Sequence, residues 1–371
     1  MTRFGRTAAI ASAVAVSALL LTACSGGGNT PSLSGDIAGA GSSAQGSAQE
    51  SWIAAFQTAN EKDNVTYDPA GSGAGRTQFI AGGVAFAGSD SYLSDEELKK
   101  TFVACAPSTL PFEVPNYISP IAVIYNVEGV KSLNLDAVTL ANIFAGKITK
   151  WNDPAIAAIN AGVALPNLAI TAVHRSDKSG TTKNFSDYLF QNAKADWAIE
   201  KPADTFPFQT GEGAQGTSGV VDAVKNGTGT IGYADASKVG DLATAAIKVG
   251  DAWVQHSAEG AAAVVGASPR IEGRSASDMA VAIDRTLTDS ATYPLVLVSY
   301  LIGCNDYQDD AVGALVKAYA SYLTSADGQS TAGAAAGSAP ITGAVLDEAA
   351  SITAGRAAQA QQTSVTTGLR T

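Results

Sequence analysis

Short apolar runs alternate along this chain with stretches whose apolar residues recur every three or four positions. Val65-Thr66-Tyr67, Ile118 to Tyr125, Leu168 to Val173 and Thr230-Ile231-Gly232-Tyr233 read as strands. Helical spacing fits Trp52, Ile53 and Phe56, then Leu135–Phe144, then Phe185 with Tyr188 and Leu189, and Val220–Val224. Further on, Tyr293 to Leu301 predicts another buried strand and Ala311–Tyr322 a long helix. From Ala357 onward the chain is polar, which predicts a frayed end. Strands and helices taking turns in this way predict an α/β architecture with mainly parallel sheets.

The first residues follow another pattern. Arg3 and Arg6 give a basic start, and Ala8 to Leu21 is an apolar core too short for a good membrane span. Leu21-Thr22-Ala23-Cys24 then reads as a lipobox, similar to signals whose Cys is lipidated and becomes the mature N-terminus. Residues 1–23 are therefore expected to be a lipoprotein signal peptide. Residues 24–35, rich in Gly, Ser, Asn and Pro, are expected to be a flexible tether. The expected location is the outer face of the bacterial cytoplasmic membrane, with the lipid on Cys24 as anchor. About 335 residues follow, more than one hydrophobic core usually serves, so two domains are expected.

Composition narrows the function. The formal charge is −11, and it becomes −13 once Arg3 and Arg6 leave with an acid-free leader. Such a chain is a poor partner for nucleic acid and does not steer anions from a distance. An anion would have to be held by short-range, desolvated donors. Cys105 and Cys304 remain after the lipobox; in an exported protein they are a candidate disulfide, with two buried free thiols as the other reading. Only His174 and His256 are present and the Cys residues are not clustered, so neither a metal centre nor a cofactor is expected.

Three loops carry the candidate chemistry. Arg175-Ser176-Asp177-Lys178-Ser179-Gly180-Thr181-Thr182 runs from a predicted strand into a predicted helix. The first amides of a helix lack intrahelical partners, and the macrodipole favours an anion there. Gly180 allows close backbone approach, Ser179 and Thr181 add hydroxyl donors, and Arg175 offers a forked, charge-assisted contact. An ordinary Ser/Thr cap accounts equally well for this loop taken alone. Gly39-Ala40-Gly41-Ser42-Ser43 and Gly71-Ser72-Gly73-Ala74-Gly75 repeat the arrangement. Three such loops point to several helix N-termini converging on one small anion. None matches a P-loop or GxGxxG, so a nucleotide is not indicated.

Taken in order, GAGSS at 39–43, GSGAGRTQFIAGGVAFAGSDSYLSDEEL at 71–98, NLDAVTLANIFAGKITKWNDPAI at 134–156, HRSDKSGTT at 174–182 and GTIGYADAS at 229–237 form a specific signature. Together they resemble the substrate-binding protein of the bacterial phosphate ABC transporter, the PstS family of the periplasmic-binding-protein superfamily. The resemblance covers about Leu33 to Ala354. It implies two α/β lobes joined by two hinge strands, with the ligand cleft between them, in keeping with ligands lying beyond the carboxyl ends of parallel strands. Lobe 1 would comprise 36–112 plus 297–371 and lobe 2 would comprise 113–296, with crossings near Leu110–Pro115 and Tyr293–Leu297. A Cys105–Cys304 bridge would then lie in lobe 1, close to the hinge. The implied phosphate-binding residues are Ser43, Ala44 (through its backbone N–H, where the family usually has an aromatic residue), Ser72, Asp90, Arg175, Ser179, Gly180 and Thr181. Asp177 would brace Arg175. The implied partners are inorganic phosphate and the membrane permease subunits, with the receptor a monomer.

Asp90 carries the sharpest meaning. An ionised carboxylate only accepts hydrogen bonds. Facing an anion it is unfavourable unless that anion carries a proton, as phosphate does at neutral pH and sulfate does not. Asp90 would thereby admit phosphate and reject sulfate, while arsenate, also protonated, would pass the same test. Read without the resemblance, it is as readily a turn or cap acid. A secreted serine hydrolase or phosphatase is the rival class. Ser179 or Ser72 would then need an activating base, and the chain offers two His and no GxSxG. His174, Trp52, Trp151 and Trp197 are expected to pack rather than react.

Overall fold

The computed structural model describes residues 35–355. The leader, the Cys24 lipidation site and the polar C-terminal end lie outside the described residues. Elements run β1 (Gly35–Gly41), α1 (Gly46–Ala59), β2 (Asp63–Asp68), α2 (Ser72–Ile80), β3 (Phe86–Ser89), α3 (Asp95–Leu98), β4 (Pro111–Asn126), β5 (Asn134–Leu135), α4 (Ala137–Phe144) and α5 (Pro154–Ala158). They continue with β6 (Thr171–Arg175), α6 (Gly180–Asn192), β7 (Glu212–Ala214), α7 (Gly216–Asn226), β8 (Thr230–Asp235), β9 (Ala243–Thr244), β10 (Ala246–Val249), β11 (Ala252–Val254) and α8 (Ala258–Ala267). β12 (Val296–Cys304), α9 (Asp310–Leu323), α10 (Ala326–Ala336) and α11 (Gly343–Thr353) complete the order.

Two parallel blocks flank an antiparallel centre. The main sheet has the order β2-β1-β3-β12-β4-β8-β6-β7, with β9 beside β4. β1 is parallel to β2 and β3, and β6 is parallel to β7 and β8. β4 and β12 pair antiparallel between the blocks. β4 is buried at all but its last position, and β12 throughout, which explains their nearly continuous apolar sequence.

The β4 prolines stand where its ladder changes. Between Pro115 and Tyr117 a bulge opposite Ser299/Tyr300 leaves Asn116 without a cross-strand partner. After Pro120, β4 exchanges β12 for β8, which it pairs from Ile121 to Asn126. Proline lacks the donor a central ladder needs, so both sites suit it. Downstream of β11, Ser277 and Met279 exchange backbone hydrogen bonds with Glu113 (2.9 and 2.7 Å), and Arg274 donates to the Leu93 carbonyl (2.8 Å). A segment from within 113–296 thus lies against the β3/β12 side.

Two strands begin later than their apolar runs suggest. Leu168 closes a short turn onto the Pro166 carbonyl and Ala169 bridges to Lys150, so β6 starts at Thr171. Tyr293 and Leu295 are buried without strand pairing around Pro294, and β12 starts at Val296. Cys105 and Cys304 form a disulfide with a Cα–Cα distance of 5.2 Å, tying the loop after α3 to the last residue of β12.

Each block has its own aromatic packing. On the β1 side, Tyr319 of α9 meets Phe56 edge-on at 5.2 Å and Phe86 at 5.5 Å. On the β6 side, Phe185 stacks on Tyr233 at 4.1 Å, with Phe144, Trp197 and Phe206 around them. Trp52, Trp151 and Trp197 are fully buried, as expected of packing residues. His174 lies flat against Phe206 at 3.9 Å.

Candidate anion-binding site

The Gly/Ser loops leave the carboxyl ends of β1, β2 and β6, and they meet. Gly41 makes the first turn: a Cβ there would lie 1.8 Å from the Gly88 carbonyl oxygen, so no side chain fits. Its carbonyl accepts from Gly71 N–H (2.7 Å), which joins the β1–α1 loop to the β2–α2 loop. Gly71 has φ +102°, a conformation for which glycine is suited, and it sets Ser72 as the first residue of α2. The Ser72 hydroxyl then accepts from Asp90 N–H (3.1 Å), just past β3.

Asp90 is held from several directions. Thr181 Oγ1 donates to Oδ2 at 3.2 Å and Ser299 Oγ donates to Oδ1 at 2.5 Å. Its own carbonyl accepts from Asn184 Nδ2 (2.8 Å). Burial raises the Asp90 carboxyl above its ordinary range, and Ser299, Ser42, Arg175 and Thr181 offset part of that rise. Gly180, first in α6, sits directly over this pair. A Cβ on it would lie 2.7 Å from Asp90 Cβ and 2.8 Å from Ser72 Oγ. Glycine here is therefore a matter of space.

Arg175 ends β6 with its side chain almost wholly buried. Asp177 takes its fork, with Nε to Oδ1 at 2.7 Å and Nη2 to Oδ2 at 2.5 Å. Gly216 N–H also donates to Asp177 Oδ1 (3.1 Å). Burial opposes the Asp177 charge, but the Arg175 fork prevails and holds the carboxyl below its ordinary range. Two parallel N–H···O bonds to one carboxylate fix the plane of the guanidinium. Ser179 caps α6: its hydroxyl accepts from Thr182 N–H (3.2 Å), which leaves the hydroxyl proton to donate.

Ser43 and Ala44 stand at the end of the first loop, between β1 and α1. Ser43 Oγ accepts from Thr217 N–H (3.0 Å) and lies 3.0 Å from Thr217 Oγ1, at the start of α7. Ala44 N–H donates to Ser42 Oγ (3.1 Å), and the residue is fully buried. Ser72, Asp90, Gly180 and Thr181 thus touch one another, Arg175 is close enough to bias Asp90, and Ser43 is linked through α7. Tyr233 also belongs here, its hydroxyl 2.7 Å from Thr182 Oγ1.

Thr217, Ser299 and Asn184 lie outside the three loops marked from sequence, whereas Ser42 lies within the first. Two left a trace. Gln215-Gly216-Thr217-Ser218-Gly219 is a further Gly/Ser/Thr loop from strand to helix, and Ser299 is the one polar residue between Val296 and Tyr300. Among the described residues no group of His, Cys, Asp and Glu is arranged to hold a metal ion. No described helix is long and apolar enough to cross a membrane.

Parallel blocks joined through two central strands, with helix N-termini converging between them, are the architecture of a binding protein of the PBP superfamily, and residues 28–327 match that superfamily's domain. Phosphate-binding protein PstS 2 of Mycobacterium tuberculosis is 34% identical over 336 residues, covering 85% of this chain and 90% of that protein. Phosphate-binding protein PstS 3 of Mycobacterium leprae is 38% identical over 290 residues, covering 75% and 76%. The chain belongs to the PstS family of phosphate-binding proteins. The high-affinity periplasmic phosphate-binding protein PfluDING, solved with phosphate bound, shares the fold at TM-score 0.66 and 22% identity, covering 84% of this chain and 92% of that one. A phosphate-binding protein from Stenotrophomonas maltophilia matches at TM-score 0.64 and 20% identity, covering 85% and 93%.

Proposed function

We propose that this chain is a lipid-anchored, extracytoplasmic receptor that binds inorganic phosphate and delivers it to an ABC permease. The observation that carries this reading is Asp90: a buried, acceptor-only carboxylate enclosed by hydroxyl donors, a helix N-terminus and Arg175. Phosphate donates its P–OH to Asp90 and takes hydrogen bonds on its other oxygens. The donors are the hydroxyls of Ser43, Ser72 and Ser179 and the backbone N–H groups of Gly180 and Thr181, the Thr181 hydroxyl being spent on Asp90. Ala44 N–H joins them by turning from Ser42 Oγ, and Arg175 supplies the cation. The relatives named above are binding proteins, and the site needs no cofactor for this task.

The proposed lobes are the β1 side, 36–112 with 297–371, and the β6 side, 113–296, with β4 and β12 as the hinge strands. A ligand that touches both favours the closed arrangement by its differential contacts. Anchoring through Cys24 and handover to permease subunits rest on the lipobox and on the family.

Calorimetric titration of phosphate and of sulfate into the domain lacking leader and tether tests the reading, with Asp90→Asn alongside. One-to-one phosphate binding, no sulfate heat, and sulfate binding gained in Asp90→Asn are the expected results. Equal response to both anions, or no phosphate heat, overturns it.

A further inference from the structure

The anion site leaves Arg76 unused. This guanidinium on α2 is nearly buried and spends its donors in two directions. On its own side of the sheet, Nε reaches Glu97 Oε1 (3.0 Å) and Nη1 reaches Ser89 Oγ (2.9 Å). Nη2 instead reaches Asp204 Oδ2 at 2.5 Å, 128 residues away in the loop between α6 and β7. That loop packs on the β6 side, where Phe206 covers His174 and meets Trp197 edge-on at 6.1 Å. The pair therefore spans the two sides.

Asp204 is engaged at three points. Besides Arg76, its Oδ1 accepts from Ser91 Oγ (2.8 Å), one residue beyond Asp90. Its backbone carbonyl accepts from Ser179 N–H (2.8 Å), at the cap of α6. The side chains of Arg76 and Asp204 are only 8% and 12% exposed, so water screens their attraction weakly. Nearby, Lys183 of α6 lies 4.4 Å from the ring centre of Tyr92, a second contact in the same direction. Arg76, Ser91, Tyr92, Lys183 and Asp204 line a cavity of about 850 Å³ that reaches Asp90.

We propose that Arg76 and Asp204 form a latch across the binding cleft, which sets phosphate affinity without touching phosphate. The inference rests on the phosphate-receptor reading. A contact made only when the sides are together raises the fraction of molecules able to bind, and apparent affinity follows that fraction. Because Asp204 also holds Ser179 N–H, the ion pair draws the first turn of α6 onto Asp90. Removing one partner of a buried, hydrogen-bonded charge pair acts mainly on the off-rate.

The test is phosphate release by stopped flow from the wild type, Asp204→Asn and Ser91→Ala, with melting curves and small-angle scattering of the ligand-free forms. Asp204→Asn keeps the size and backbone of the residue, and we expect release faster by about tenfold or more. Ser91→Ala, which removes one supporting donor, is expected to speed release less. Unchanged release in both variants overturns the latch, and if Asp204→Asn does not fold, Ser91→Ala decides alone. If the wild type takes up no phosphate, the receptor reading fails and scattering decides the latch: a larger radius in Asp204→Asn supports it, an unchanged radius overturns it.

Discussion

Gly180→Ala separates binding from stability in a way the geometry makes quantitative. The added methyl carbon would stand 2.7 Å from Asp90 Cβ, 2.8 Å from Ser72 Oγ and 2.9 Å from the Asp90 carbonyl carbon. Nonbonded carbons prefer roughly 3.5–4.0 Å, so the start of α6 must retreat by the better part of an ångström. Asp90 is held from outside α6, its N–H by Ser72 and its Oδ1 by Ser299, so α6 gives way instead. Retreat stretches the Thr181–Asp90 hydrogen bond, already 3.2 Å, beyond useful length. A hydrogen bond to a charged group contributes about 1.5–3 kcal/mol, which corresponds to roughly 10- to 150-fold in affinity. The fold itself loses little, since the strain is relieved by parting the two sides and alanine suits a helix better than glycine. Calorimetry should show phosphate affinity down by that factor, with a melting temperature near wild type. Affinity within threefold of wild type would refute the argument, as would a collapse of the melting transition.

Three other perturbations test separate parts of the molecule. Asp177→Asn removes the charge that holds the Arg175 fork; phosphate affinity measured by titration should fall about tenfold. Asp235 is fully buried and its carboxyl is pushed up from 3.8 to about 6, chiefly by burial. The folded form therefore keeps this proton to higher pH than the unfolded form, and stability should fall by about 3 kcal/mol as pH rises from roughly 4 to 6, then level off. Asp235→Asn should remove this group's share of the slope in denaturant melts across this range, because amide oxygen can still accept from Ser237 N–H and Tyr117 OH, while the buried Asp90 and Glu113 carboxyls keep theirs. Replacing Cys105 and Cys304 by alanine opens a closure spanning 199 residues. The loss should be about 2–5 kcal/mol, read as a lower denaturant midpoint.

Part of the fold is legible locally. Apolar spacing marks α1, α9 and β4, and Gly/Ser loops between strand and helix mark the N-termini of α2 and α6. Local chemistry also singles out Arg175 with its nearby acid Asp177, because the two are only two residues apart. Boundaries such as the start of β12 are less legible, since burial continues where pairing does not.

Which residues meet across the chain was decided by tertiary structure. Ser43 and Thr217 are 174 residues apart, Asp90 and Ser299 are 209 apart, and Arg76 and Asp204 are 128 apart. No period of 2 or 3.6 records such a partnership, because those periods describe only which face of an element is covered. The chain by itself determined that several helix N-termini with one arginine could serve a small anion. The gathering of Ser72, Gly180 and Thr181 around Asp90, with the Arg76–Asp204 ion pair nearby, came from the order in which β3, β12, β4 and β8 pair. Hydrogen-bond geometry depends on positions within a few tenths of an ångström, and only packing of the whole sheet sets those.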